Sequence, residues 1–358
     1  MRKYYTRPCN FYYGNCAKKL IKEKKALPLA GRSNLAFDHV EVFDRQKKKI
    51  IKNNYYSITK IQKLEKNIVQ AIKSDLKNIT QKRESVLRFK FDIPLLMGAL
   101  NITPDSFSDG GLFFDEDKAY EQAKLMINNG AAIIDIGGES TRPGSKNINE
   151  KDEWLRVKNT IIKLKKDFPK IVLSLDTRKS YVAKEGIKNK IDIINDVSGL
   201  NFDQKLFDLI NLNKTPFVLH HMQGTPQTMQ NNPTYDDVLL DIFDFFEEKI
   251  NFCLKHNYKK GLIILDPGIG FGKNLDHNLR IMSKISIFHS LGCPILLGTS
   301  RKRFIEHIVT KFDTPDRTGG TLASVICGLL QGVQLFRVHN VKEINQGILV
   351  FNKILNTN

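Results

Sequence analysis

From residue 95 onward the chain alternates between short, nearly continuous apolar runs and longer segments whose apolar positions recur at helical spacing. The runs lie at 95–102, 132–137, 171–176, 191–195, 216–220, 262–266, 294–298 and 334–338. Apolar runs without polar alternation are what parallel strands buried on both faces require. Between them, residues 118–129, 150–167, 179–188, 236–255 and 322–330 read as amphipathic helices, with Trp154, Val157, Ile161, Ile162 and Leu164 expected on one side of the second. Eight strands with intervening helices match a (β/α)8 TIM barrel, whose typical length is about 250 residues. A doubly wound open sheet is the alternative. The barrel fits better, because polar residues recur at every strand end rather than at one switch point: Asn101, Asp135, Asp176, Asn195-Asp196, His220-His221, Asp266, Thr299-Ser300 and Arg337 with His339.

Residues 1–90 break this rhythm, so the chain divides into an N-terminal extension or small accessory subdomain (1–90) and a barrel (91–358). In the first part, 35–43 reads as a weak strand and 47–56 as its return. Residues 58–79 read as one amphipathic helix with Ile61, Leu64, Ile68, Ala71, Ile72 and Ile79 on its apolar side, and 88–95 as a short hairpin. No catalytic constellation is visible there. The net charge of +18 is concentrated in it, with 23 Lys and Arg against 7 Asp and Glu in residues 1–90. Either the segment meets a polyanion or it is a solvated lysine-rich surface. Few aromatics sit within its charge runs, so base stacking lacks support and no nucleic acid is expected.

At 358 residues with 41% hydrophobic content the composition is that of a globular protein, and no apolar run reaches the ~18–20 residues of a membrane helix. The basic N-terminus lacks the apolar core of a secretory signal. The five cysteines are scattered and carry no zinc-ligand spacing, as expected of reduced thiols in a cytoplasmic protein.

The first strand runs into a loop, 101–111, crowded with Asn101, Asp105, Ser106, Ser108 and Asp109, and broken by Pro104 and Gly110-Gly111. Asp176, Asn195 and Asp266, at three other strand ends, offer two carboxylates and an amide. Taken singly, each Asp reads equally as a helix N-cap. Arg337 and His339, two apart on a strand, point to one side and suit an anion. His220 and His221 are adjacent, so they point to opposite sides and read as structural rather than as a metal pair.

Six segments taken together resemble the dihydropteroate synthases: 97–111, 135–145 (DIGGESTRPGS), 194–196, 221–226 (HMQGTP), 265–273 (LDPGIGFGK) with 298–302 (GTSRK), and 337–339. They span about two thirds of the chain and leave residues 1–90 outside. The resemblance implies a barrel enzyme that joins 6-hydroxymethyl-7,8-dihydropterin diphosphate to 4-aminobenzoate. It implies a pterin held by Asp176, Asn195, Asp266 and Lys302, with Met222 and Phe271 against the ring. The diphosphate falls to Asn101, Thr141, Arg337 and His339, and Asn101 also to Mg²⁺. Two closing loops would supply Phe107 and Pro143 as walls for aminobenzoate and Asp109 with Arg142 as a latch, while Ser300 and Arg303 lie near its carboxylate. Catalysis is expected to rest on Asp176, Lys302 and Asn101 in a dissociative displacement, with Asp176 stabilising the cation. Family members are commonly homodimers. The rivals are a pterin-binding methyltransferase acting on methyltetrahydrofolate, which has no use for a diphosphate site, and a non-catalytic relative that binds a polyanion through its N-terminus.

Overall fold

The apolar runs of the second part form eight short parallel strands in a computed structural model that describes residues 2–46, 49–103, 112–140, 144–145, 147–309, 316–355 and 357. Ahead of them, an N-terminal unit contains β1 (Tyr4–Tyr13), α1 (Gly14–Lys22), β2 (Leu27–Pro28), β3 (Leu35–Gln46), β4 (Lys49–Ser57), a 3-10 turn (Ile58–Lys63) and α2 (Lys66–Thr80). The barrel strands are β5 (Leu95–Asn101), β6 (Ile133–Gly137), β7 (Val172–Asp176), β8 (Ile193–Asp196), β9 (Phe217–His220), β10 (Ile263–Asp266), β11 (Leu296–Leu297) and β12 (Leu335–Val338). The helices are α3 (Leu112–Asn128), α4 (Glu150–Asp167), α5 (Ser180–Lys188), α6 (Gln204–Asn213), α7 (Val238–Lys255), α8 (Leu275–Ser283), α9 (Arg303–Ile308), α10 (Thr318–Leu330) and α11 (Val341–Leu355).

The strand order is β10-β9-β8-β7-β6-β5-β12-β11, and a parallel bridge between Leu265 and Ile295 joins the two ends. The sheet is therefore a barrel and not a doubly wound sheet. All eight expected strands occur. The seventh is shorter than its apolar run because Pro294 has no N–H, and the Gln334 side chain takes the Ile295 N–H at 2.9 Å. On α4, Ile162 faces solvent instead of the core. Among the described residues no helix is long and apolar enough to cross a membrane.

Each strand gives one side chain to a buried layer at the base of the barrel: Met97, Ile133, Val172, Ile193, Val218, Ile264, Leu296 and Leu335. Val86, Phe89 and Phe91, from the connection between the two units, pack into the same layer and close the barrel from below. The expected hairpin at 88–95 is absent. Instead Val86 and Phe89 exchange two backbone hydrogen bonds around Leu87, whose φ is +53°.

In the N-terminal unit β3 is central, pairing antiparallel with β1 on one side and with β2 and β4 on the other. The helix expected over 58–79 is broken, since Leu64 and Glu65 are extended; Ile61, Ile72 and Ile79 nevertheless share one core. β1 lies against the barrel. The Tyr5 hydroxyl donates to Asp244 at 2.7 Å and its ring meets Phe243 edge-on. Glu41 accepts from Arg7 and from Lys284 of the barrel, each at 2.6 Å. Lys18, Lys19, Lys22, Lys73 and Lys77 face solvent.

Candidate active site

Side chains two residues apart on a strand share a face. Two residues beyond the apolar base layer, the inward positions are Ala99, Asp135, Ser174, Asn195, His220, Asp266, Gly298 and Arg337; two further on come Asn101, Gly137, Asp176, Val197, Ser300 and His339. Most strand-end polar residues thus fall in the second and third layers of one barrel, which is why they converge, while Asp196, His221 and Thr299 lie out of that phase. They surround an open recess of about 420 Å³ lined by Asp176, Asn195, Val197, His220, Asp266, Phe271, Gly298, Ser300, Lys302, Arg337 and His339.

Arg337 is the centre of the polar layer. Its Nε donates to Asp135 Oδ2 at 2.6 Å and its Nη2 to Asp176 Oδ2 at 3.0 Å. Asn195 Nδ2 donates to the same Asp135 oxygen at 3.0 Å. Burial and the charge of Asp135 push the Asp176 carboxyl well above its ordinary value, against the pull of Arg337. Burial is opposed at Arg337 by Asp135 and Asp176, which hold its guanidinium firmly charged. Asp266 accepts from the Gly268 N–H at 2.8 Å, yet burial raises its carboxyl too. Lys302 donates to the Ile269 carbonyl at 2.8 Å and sits 4.0 Å from the Phe271 ring centroid; burial lowers its ammonium pKa, with Asp266 working the other way. Phe271 in turn rests edge-on against His220 at 4.5 Å. Burial, then Lys302, keep His220 neutral, and its Nδ1 points at the Val197 carbonyl.

Of the residues expected from sequence, Asp176, Asn195, Asp266, Phe271, Ser300, Lys302, Arg337 and His339 come together around the recess. Asn101 stands beside Gly137: a Cβ there would lie 3.6 Å from Asn101 Oδ1 and 3.4 Å from Asp176 Cβ, so the glycine keeps the gap between amide and carboxylate open. Ser300 Oγ bonds the His339 backbone N–H and lies 3.1 Å from its Nδ1. Met222 is half-buried just past β9 and does not line the recess. Arg303 is exposed at the first position of α9. Phe107, Asp109, Thr141, Arg142 and Pro143 lie outside the described residues.

Sequence reasoning missed three participants. Asp135 was visible only as one strand end among eight. His220 backs the Phe271 ring. Lys273, buried with no carboxylate partner among the described residues, donates to Phe271 O at 2.9 Å and meets His221 Nδ1 at 3.0 Å, tying the loop after β10 to the loop after β9. The signal for Asp135 was its two-residue phase with Ile133, which places it in the same layer as Asn195 and Arg337.

Carboxylates, an amide and a lysine gather around one recess in the barrel mouth, the pattern of a small-molecule site. Residues 97–339 match the family model described as pterin binding enzyme. The dihydropteroate synthase of Escherichia coli (strain K12) is 40% identical over 262 residues, covering 73% of this chain and 92% of that protein. The Bacillus subtilis enzyme of the same name is 41% identical over 286 residues, covering 79% and 95%. Among solved structures, Yersinia pestis dihydropteroate synthase in a sulfonamide drug complex superposes with a TM-score of 0.71 at 36% identity, covering 77% of this chain and all of that one. The Xanthomonas albilineans enzyme in complex with 7,8-dihydropteroate gives 0.68 at 30% identity, covering 75% and 97%. The chain belongs to the dihydropteroate synthase family.

Proposed function

We propose that the protein is a transferase of folate biosynthesis that joins 6-hydroxymethyl-7,8-dihydropterin diphosphate to 4-aminobenzoate, giving 7,8-dihydropteroate and diphosphate. The observation that carries this reading is the ring of Asp176, Asn195, Asp266 and Lys302 around a recess that also presents Arg337 and His339. A pterin edge offers several N–H donors. Asn195 Oδ1 is buried and accepts no hydrogen bond among the described residues, an arrangement that costs about 1–3 kcal/mol until a donor arrives. Asp176 and Asp266 supply further acceptors, Lys302 a donor, and Phe271 a flat wall.

In the displacement, the bond between the pterin methylene and the diphosphate oxygen breaks and the diphosphate leaves with the electron pair. The amine nitrogen bonds to the methylene and loses its proton to solvent or to diphosphate. The ring carries positive charge between these events. Asp135, Asp176 and Asp266 face Arg337 and Lys302, three carboxylates against two cations. With Asp176 and Asp266 beside the ring, either of them that is ionised stabilises a cation there. As that charge develops, it draws Asp176 back towards its ionised form. Arg337 Nη1, with no partner among the described residues, and His339 would meet the leaving diphosphate.

Asn101 Oδ1, a hard oxygen kept accessible by Gly137, fits Mg²⁺ that takes its other ligands from diphosphate and water. When bound, Mg²⁺ neutralises charge on the leaving group. The aminobenzoate side is assigned to Phe107, Asp109, Arg142, Pro143, Ser300 and Arg303. Thr141 joins the diphosphate side. A homodimer belongs to the same reading. The outer face of α11 exposes Leu349, Val350 and Ile354, apolar surface that a second copy would cover. The free cysteines suit a cytoplasmic enzyme.

The experiment is diphosphate release from pterin diphosphate with Mg²⁺, with and without 4-aminobenzoate. Release that depends on aminobenzoate and yields dihydropteroate supports the assignment. Absence of product from folded protein overturns it.

A further inference from the structure

A second recess, of about 390 Å³, lies at the seam between the N-terminal unit and the barrel. Arg32, Asn34 and Leu35 line it from one side, and Pro94, Leu329 and Phe351 from the other. Arg32 makes no ion pair and no side-chain hydrogen bond among the described residues, and its Nε is fully buried without a partner. Native proteins seldom leave a buried donor of this kind unpaired, because the lost solvation goes uncompensated. Asp92, the acid nearest in charge effect, is taken by Lys82 at 3.2 Å. The Asn34 carboxamide likewise has no hydrogen bond among the described residues. The Tyr13 hydroxyl, on the same recess, is committed to the Leu330 carbonyl at 2.7 Å.

The backbone fixes Arg32 in place. Ala30 and Gly31 both have left-handed φ, +52° and +72°. A Cβ at Gly31 would come within 2.5 Å of Lys82 Cα, so only glycine allows that approach. The Ala30 N–H donates to Ile79 O at 2.8 Å, anchoring this turn to the end of α2. An unpaired guanidinium is thus held rigidly over a recess whose far wall carries Pro94, Leu329 and Phe351 beside Asn352.

We propose that this seam binds a small organic anion, its carboxylate on Arg32 and the Asn34 amide and its apolar body against Leu35 and Phe351. Arg32 offers a planar fork matched to a carboxylate, and the fixed backbone removes most of the ordering cost of binding. A ligand here touches both units at once, so occupancy clamps the N-terminal unit to α10 and α11. The site is separate from the barrel mouth and does not depend on the reaction proposed above.

The test uses the full chain and sodium benzoate as probe, read by the Arg32 Nε–H signal in proton–nitrogen NMR. Loss of that signal in Arg32→Gln assigns it. Benzoate is expected to shift the signal saturably and to raise Tm by roughly 2 °C or more. Arg32→Gln should abolish the rise, and Phe351→Ala should weaken binding about tenfold. Sodium phosphate and sodium chloride at matched ionic strength are the comparison arms. The proposal is overturned if benzoate gives no saturable shift, if chloride gives the same shift, or if phosphate moves the signal while benzoate does not.

Discussion

Arg337 reaches past a whole strand to Asp135. The two residues sit on β12 and β6, with β5 between them, yet Nε and Oδ2 are 2.6 Å apart. The intervening strand contributes only Ala99 to that layer, so a methyl group is all that stands beside the crossing guanidinium. Asp135 also accepts from Asn195, so one carboxylate aims both an arginine and an amide of the recess.

Replacing that carboxylate by its neutral isostere should therefore misplace two groups at once. Asp135→Asn is expected to lower kcat/KM by about 10²-fold, the scale of a 1 Å misplacement, with the far-UV spectrum unchanged. Steady-state kinetics and circular dichroism on the variant check this. A rate within twofold of the parent would remove Asp135 from the positioning network.

Asp176 should behave differently. Its carboxyl is raised by burial, so a neutral amide there relieves an electrostatic cost while removing the charge that faces the ring. Asp176→Asn is expected to lose about 10²–10³-fold in turnover while keeping or gaining thermal stability. Diphosphate release and calorimetry on one sample decide it; equal losses of stability and rate would mean a structural role.

The raised Asp266 carboxyl sets a pH dependence for substrate binding. Ring N–H donors need the ionised form. Affinity for the pterin substrate should fall as pH drops from neutral towards 3.8, earlier than for an ordinary carboxylate. Asp266→Asn should bind weakly at all pH values and lose this slope. Calorimetric titration between pH 8 and 5 measures both.

Acid should also loosen the seam between the units. Burial works against the Glu41 charge, but the hydrogen bond from Lys284 and the charge of Arg7 hold its carboxyl down to about 2. A depressed carboxylate stabilises the fold above its unfolded value near 4.5, and that contribution is lost as pH falls towards 2. The amount is on the order of 2–4 kcal/mol. Urea unfolding at pH 7, 4.5 and 3 should show the decline, and Glu41→Gln should already lack it at pH 7.

The barrel was readable because parallel strands buried on both faces leave continuous apolar runs, and their number and spacing left few architectures. The site was readable as a set of strand ends, and resemblance assigned roles to most of them. Its wiring was not. Nothing in a linear sequence shows that Asp135 meets Arg337, since that contact exists only once eight strands close and Ala99 leaves a gap. Lys273 was hidden for a related reason: a lysine after a glycine-rich loop reads as solvated until the loop folds back on His221. β1 escaped notice because Thr6 and Arg7, polar neighbours in sequence, are both buried, one against the barrel and one on Glu41. Leu64 and Glu65 kept the helical period of their neighbours while adopting extended backbone, which no periodicity reveals.

Val86, Phe89 and Phe91 give the boundary between the two parts a physical meaning. These residues are the cork of the barrel, and the cork is strung on the tether. A barrel begun at residue 92 would have an oily hole in its underside, and the N-terminal unit made alone through residue 91 would carry three greasy side chains into water. Cutting the chain on either side of this stretch leaves apolar surface open on one part or the other. Any chain that exchanges one part for a relative's must carry this eighty-sixth to ninety-first stretch with the barrel it seals.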